Sequence, residues 1–390
     1  MTPNAVISQK NQRVLILTSS TGGGHDAEAR AFCEWASFLR GEACQVKIDQ
    51  TLENSSPFYD AGVRFYNYIQ QKAPWFHHVY WNLVEWKELL DCGMLSVGFR
   101  YYKKLLEEFQ PDVVLSVHDC LNKGYFETAR KILGRNVRCV TYCGEFQDGY
   151  GFSRNWVNPR ADLFIGLTRE TVQAAVRRGM PPGRAVCGGP LLRRNFYNPP
   201  LNKEKRKAYI SQTLQLDPDR KILLLATGGA GAENHLSFLE AIKPFEKEIQ
   251  AVALCGLNVH AHAQLNEWRA HNPHFKLCIL PFSKEMNRLL QISFAVVTRG
   301  GMSTSAEALQ AGCPILFNAI GGVMPQEHLT LGYFIERGIA MKLSRPFQLG
   351  QIIREWLEQL DQYEDLKKTF SHARLADAPK QIVQQILGYE

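Results

Sequence analysis

The sequence predicts two α/β domains of similar design, each a parallel sheet with helices on both faces, set against one another across a cleft. Three observations carry this. Short β-branched and Leu-rich runs alternate with longer amphipathic stretches along the 390 residues, which is the pattern of βα units around a parallel sheet. The series starts twice, once on each side of a Pro- and charge-rich stretch at residues 195–207. The composition, 45% hydrophobic and 21% charged, is apolar enough at this length to bury two cores.

In the first half, strands are predicted at residues 14–17, 46–48, 113–117, 137–142 and 163–167. Asn198-Pro199-Pro200 and the charges after it read as a linker, because Pro and charge runs favour exposed connections. The domains are therefore drawn at residues 1–195 and 208–370, with 196–207 between them. Strands of the second half are predicted at residues 221–227, 251–255, 276–280, 294–298 and 314–317. From residue 348 the pattern is helical, with Ile352, Ile353, Trp356 and Leu360 at helical spacing.

Several function classes lose support early. The ten cysteines form no C-x-x-C pair, so neither a zinc site nor a disulfide framework is predicted, and a reducing cytosol fits. The polar residues 1–13 lack the pattern of a signal peptide, and no apolar run reaches the roughly 18 residues of a membrane span. A soluble chain, or one resting on a membrane surface, is expected. The net charge of +7 is modest. Arg177-Arg178, Arg193-Arg194 and the lysines of residues 203–207 read mainly as solvated faces; nucleic-acid binding is not predicted, because no aromatic residues interleave with them.

Three loops carry chemistry. In the first, an apolar strand runs into Thr21-Gly22-Gly23-Gly24-His25 and then a helix. Glycines at such a turn let backbone approach a ligand, and the helix start offers free N–H groups to a polar or anionic group. His25 has the right pKa for a general base toward a hydroxyl, or it is simply a cap. Asp49, ending the second strand, raises a dinucleotide-binding reading, although Gly22-Gly23-Gly24-His25 is not G-x-G-x-x-G.

The second loop, Thr227-Gly228-Gly229-Ala230-Gly231, opens the second domain, either to receive a diphosphate or as a tight turn. Just upstream, Asp217-Pro218-Asp219 has a D-x-D form but ordinary turn chemistry, and no metal is assigned to it. The third loop is the most specific: Thr298-Arg299-Gly300-Gly301-Met302-Ser303-Thr304-Ser305-Ala306-Glu307, followed by Pro325-Gln326-Glu327. A strand delivers glycines to a helix start where phosphate can bind, and Ser303, Thr304 and Ser305 add hydroxyls. Glu307 can accept from two ribose hydroxyls, and Gln326 and Glu327 can hold those of a sugar. A capping box around Glu307 is compatible with both.

These residues resemble the monogalactosyldiacylglycerol synthases and processive diacylglycerol glucosyltransferases, relatives of the peptidoglycan lipid I N-acetylglucosaminyltransferase. The matching pieces, in order, are Thr21 to His25, Gly188-Gly189-Pro190-Leu191, Cys255-Gly256-Leu257-Asn258, Phe282-Ser283-Lys284-Glu285-Met286, the Gly300 to Glu307 loop and Pro325-Gln326-Glu327. Residues 66–86, with Trp75, Tyr80, Trp81 and Trp86, resemble the family's lipid-facing region.

The resemblance implies two facing Rossmann-like domains of GT-B type. The N-terminal domain would take the acceptor and the C-terminal one a UDP-sugar, with residues 371–390 crossing back to the first domain. It implies an inverting hexosyltransferase with no bound cofactor, UDP-hexose as co-substrate and diacylglycerol as acceptor. The place of work would be the anionic inner face of the cell membrane, reached from the cytoplasm. The residues implied are His25 as base, with Gly22, Gly23, Gly24 and His118 around the acceptor. On the donor side they are Gly228, Gly229, Cys255, Asn258, Phe282, Met286, Arg299, Gly300, Gly301, Ser303, Thr304, Ser305, Glu307, Gln326 and Glu327.

Four departures stand out. The family's C-G-R-N has Leu257 in place of its cation, G-P-G-T becomes Gly301-Met302-Ser303-Thr304, and Q-E-x-G-N becomes Gln326-Glu327-His328-Leu329-Thr330. The Thr-Asp pair expected after the fourth strand is Thr141-Tyr142, so either Glu145 or Asp148 supplies the acid or the role is absent. Two rival classes stay open: a non-catalytic nucleotide-sugar sensor and the NAD-dependent oxidoreductase suggested by Asp49.

Overall fold

The computed structural model describes residues 11–72, 74–79, 81–82, 85, 95–226, 234–375 and 378–389. Tyr80 and Trp86 lie outside the described residues, as do Gly228 and Gly229.

Two six-stranded sheets organise the chain. The first consists of β1 (Gln12–Thr18), β2 (Cys44–Gln50), β3 (Val113–Ser116), β4 (Arg138–Cys143), β5 (Leu163–Gly166) and β6 (Ala185–Cys187), in the order β2-β1-β3-β4-β5-β6. The second consists of β7 (Lys221–Ala226), β8 (Ile249–Leu254), β9 (Leu277–Leu280), β10 (Ala295–Thr298), β11 (Ile315–Asn318) and β12 (Ala340–Leu343), in the order β12-β11-β10-β7-β8-β9. Every pairing is parallel. Parallel strands covered on both faces must be apolar throughout, not alternating, and Val14, Leu15, Ile16 and Leu17 are all fully buried.

Strands β6 and β12 gave no signal in the sequence. Both are partly exposed edge strands of only three and four residues, too short for an apolar run to mark either as a strand.

Each sheet has two covered faces. Helix Gly24–Arg40 places Phe32 and Trp35 on one face of the first sheet, and helix Pro379–Leu387 adds Ile382, Val383 and Ile386 to the same cluster. The last helix is thus tied to the N-terminal domain: Arg138 Nε donates to the Ile386 carbonyl (3.2 Å) and Gln12 Nε2 to that of Leu387 (3.0 Å). The preceding helix, Leu360–His372, stays on the second sheet, where the Tyr363 hydroxyl donates to the Phe294 carbonyl (2.6 Å). Phe196 and Ile210, on either side of Asn198-Pro199-Pro200, are both buried in the C-terminal core.

In each sheet the chain leaves the centre, returns and continues the other way. The reversals fall between β1 and β3 and between β7 and β10. Ligands of open α/β sheets bind at the carboxyl ends of strands at such points. The loops after β1, β3 and β10 face one another there.

Candidate active site

A cavity of about 750 Å³ lies between the domains, lined by Gly22–His25, His118 and Glu145 on one wall and by Phe282, Met286, Arg299–Thr304, Glu307 and Gln326 on the other. That volume suits a nucleotide-sized ligand.

On the first wall, Gly22 and Gly23 sit at φ 71° and 82°, a left-handed region costly for any residue with a Cβ. The loop is pinned where the Gly22 N–H donates to Asn67 Oδ1 (3.0 Å). Helix Gly24–Arg40 then starts, with Asp26 accepting from Ser20 Oγ (2.7 Å) and Thr18 Oγ1 (3.2 Å) near its positive end.

His25, in the first turn, packs against the rings of His118 (4.6 Å between centroids) and Trp156 (5.9 Å). Its Nδ1 lies 3.9 Å from Glu28 Oε2, and the two side chains are only 14% and 8% exposed. Burial disfavours the imidazolium, but Glu28, Asp119 and Glu145 together outweigh it and raise the His25 pKa. His118, held by Thr21 Oγ1 (2.9 Å) and Asp119 Oδ1 (3.0 Å), is pushed the other way by burial and by His25.

Of the two acids that could follow β4, Glu145 lines the cavity and Asp148 does not. Asp148 is clamped by Arg177 (2.7 Å) and Arg178 (2.6 Å), which outweigh burial and pull it down to about 2. Burial pushes Glu145 up to about 8, with Asp119 and Glu28 adding to the shift and His25 opposing it. Near neutral pH Glu145 is therefore mostly a carboxylic acid, a hydrogen-bond donor.

The second wall is built on helix Met302–Ala311, capped by Gly301. Its first turn and Thr304 line the cavity, and such a helix start offers free N–H groups to an anion. Gly300 has no room for a side chain, since a Cβ there would stand 2.3 Å from Leu331 Cδ1. Glu307 lines the cavity one turn further on, and burial pushes it up to about 7 against the pull of Arg193.

Arg299 forms a two-pronged pair with Glu327, Nε to Oε1 (2.9 Å) and Nη2 to Oε2 (2.8 Å), and Nη2 also donates to the Gly322 carbonyl (2.9 Å). Glu327 Oε2 accepts from the Met324 N–H as well (2.9 Å). Both oxygens of Glu327 are thus engaged within the protein. Gln326, by contrast, keeps a buried Oε1 with no partner among the described residues.

Other predicted residues fall outside the cavity wall. Asn258 caps helix Val259–His271, accepting from the Ala261 N–H (2.9 Å). Cys255 is buried in the core and Ser305 is buried inside its helix. Trp75 is 62% exposed, whereas Trp81 is partly covered and lies in the cavity wall against Tyr150 (5.1 Å).

Sequence reasoning missed Glu28, Asp119, Trp156 and His77. The first two could have been found, one a helical turn beyond His25 and the other adjacent to His118. His77, buried against Tyr66 (4.4 Å between rings) and pushed down to about 4 by burial, left no such signal. Among the described residues, His118, Asp119 and Cys120 could hold a metal ion, their ligand atoms lying within 4.8 Å of one another. Asp49 is consumed structurally, accepting from Tyr101 (2.7 Å), Thr51 (2.9 Å) and Asn54 (3.2 Å). A ribose at that strand end would have to displace them, which argues against the dinucleotide reading.

Residues 25–191 match the family described as monogalactosyldiacylglycerol (MGDG) synthase, and residues 222–319 match the glycosyltransferase family 28 C-terminal domain. The two matches take in most of both walls, including His25, His118, Glu145, Arg299 and Glu307. The chain is a glycosyltransferase that resembles the MGDG synthases in its first half and the family 28 glycosyltransferases in its second. Among its relatives, this glycosyltransferase is 22% identical to the processive diacylglycerol beta-glucosyltransferase of Bacillus licheniformis, over 97% of this chain and 95% of the relative. It is also 22% identical to the chloroplastic monogalactosyldiacylglycerol synthase 2 of Arabidopsis thaliana, over 96% and 80%. Its GT-B fold is that of Acinetobacter baumannii MurG (TM-score 0.60, 14% identity, 97% of this chain and 99% of that one).

Proposed function

We propose that this glycosyltransferase moves a hexose from a UDP-sugar to a hydroxyl of diacylglycerol, with inversion at the anomeric carbon. The observation that carries the reading is the pairing of a buried histidine on one wall of the cavity with a helix start and a carboxyl one turn beyond it on the other.

In this mechanism His25 takes the proton of the acceptor hydroxyl as its oxygen attacks the anomeric carbon. The bond to the diphosphate breaks and its electron pair leaves with UDP. Positioning and fixed dipoles then supply most of the rate. The helix start at Gly301 and Arg299, whose Nη1 has no partner among the described residues, take up the growing phosphate charge. Glu307 receives the ribose hydroxyls. Gln326 Oε1 accepts from the sugar, and Glu327 serves by fixing Arg299. Protonated Glu145 donates to an oxygen of the acceptor or sugar.

The acceptor would be met at a membrane surface, on its cytoplasmic side. Trp75 is exposed beyond helix Pro57–Lys72, and Phe58, Phe65 and Tyr68 are exposed along that helix, an arrangement suited to an interface. Among the described residues no helix is long and apolar enough to cross a membrane.

The test is UDP release from UDP-glucose and UDP-galactose with and without short-chain diacylglycerol. Release that rises with the lipid supports the reading, whereas release indifferent to lipid would point to another acceptor.

A further inference from the structure

We propose that Glu28 is the positioning residue for His25, holding the Nδ1 edge of the ring so that Nε2 is presented to the acceptor hydroxyl. This rests on the reading of His25 as the base.

The geometry has three parts. His25 Nδ1 and Glu28 Oε2 are both buried and face each other at 3.9 Å, an ion-pair separation, and neither has a hydrogen-bond partner among the described residues. Because Nδ1 is turned inward while His25 lines the cavity, Nε2 is the edge left for substrate. Glu28 itself lies behind the ring, one helical turn on, where residues at i and i+3 share a face.

The end of β4 explains why the carboxylate comes from this helix. The position where an acid was expected holds Tyr142, whose hydroxyl accepts from the Leu191 N–H (2.8 Å) and donates to the Gly189 carbonyl (3.0 Å). It is occupied with the chain beyond β6. Two residues on, Gly144 lacks a side chain, and a Cβ there would stand 2.0 Å from Glu28 Oε1. Glu28 fills the space that a side chain from β4 would take.

When His25 accepts the hydroxyl proton at Nε2, Nδ1–H is left pointing at Glu28, and the imidazolium is balanced by a carboxylate already in place. The other groups around the ring are His118 and Asp119 after β3 and Glu145 after β4. Asp119 is already held by His118 at 3.0 Å, and Glu145 lines the cavity. Among the described residues, Glu28 alone faces the Nδ1 edge.

The experiment compares Glu28→Gln, Glu28→Asp and Gly144→Ala with His25→Ala in steady-state transfer and in an NMR titration of the His25 imidazole. Glu28→Gln should lower kcat about tenfold to 100-fold, a part of what a general base supplies. It should leave the UDP-sugar KM within about twofold and move the acidic limb of kcat/KM to lower pH. Glu28→Asp should recover part of the loss, and Gly144→Ala, which crowds the carboxylate, should reproduce it. If Glu28→Gln and Gly144→Ala keep normal kcat and an unmoved limb while His25→Ala is inactive, the base stands and Glu28 is rejected. If His25→Ala turns over normally, the base reading itself falls and the proposal with it.

Discussion

The Ser303 hydroxyl donates to the Gly24 carbonyl at 3.2 Å, so the first turns of two helices from different domains meet across the cleft. One helix carries His25 and the other carries Glu307. Their positive ends converge on the cavity, a suitable field for a leaving diphosphate. Removing this bond with Ser303→Ala should cost about 1 kcal/mol of stability. It should also speed amide exchange at Ala27, whose N–H donates to the Gly23 carbonyl, while β1 stays protected. Unchanged exchange at the helix start would mean that the contact does not hold the walls together.

Nucleotide binding is expected to depend on pH through Glu307. Burial lifts its pKa to about 7, and only the ionised form can accept from both ribose hydroxyls. UDP should therefore bind more tightly as pH rises from 6 to 8, and calorimetry should record proton release on binding near pH 7. Glu307→Gln should bind more weakly and lose that dependence, whereas retention of wild-type affinity in this variant would remove Glu307 from the ribose.

The Arg299–Glu327 pair makes a claim about stability before it makes one about sugar. The two side chains are 11% and 4% exposed, so Glu327→Ala leaves a buried guanidinium without its partner. The expected loss is about 3 kcal/mol in urea unfolding, and a double replacement by apolar residues of similar volume should restore much of it. A Glu327→Ala protein that unfolds like the wild type but binds donor poorly would return Glu327 to direct sugar contact.

Glu145 is expected to make stability fall as pH rises. Its pKa rises from the ordinary 4.5 to about 8 on burial, so between those values the folded protein holds a proton that the unfolded chain has lost. Stability should fall as pH rises through that window, by at most about 1.4 kcal/mol per pH unit from this group. Glu145→Gln should flatten the profile and raise the melting temperature at pH 8, leaving a smaller slope near pH 7 from Glu307. A wild-type melting temperature that climbs from pH 5 to 8 would contradict the assignment.

The central strands were legible in the sequence because a strand covered on both faces must be continuously apolar, as at Val14 to Leu17, and the glycine loops because of their composition. The edge strands β6 and β12 were not, since half-exposed residues such as Val186 and Lys342 carry no such constraint. In the site, pattern could indicate which loops meet but not how their side chains pair. The engagement of Glu327 by Arg299, 28 positions away, and the placing of Glu145 in the cavity with Asp148 outside it depend on the path of the chain after β4 and β10.

The transfer reaction itself is the most direct test. The purified protein should be incubated with α-linked UDP-glucose or UDP-galactose and diacylglycerol, and the lipid product analysed by mass spectrometry and by the anomeric proton coupling. A hexosyl-diacylglycerol with a β linkage, absent when His25 is replaced by Ala, is the predicted result. No hexosyl lipid from either donor, or an α-linked one, would contradict it.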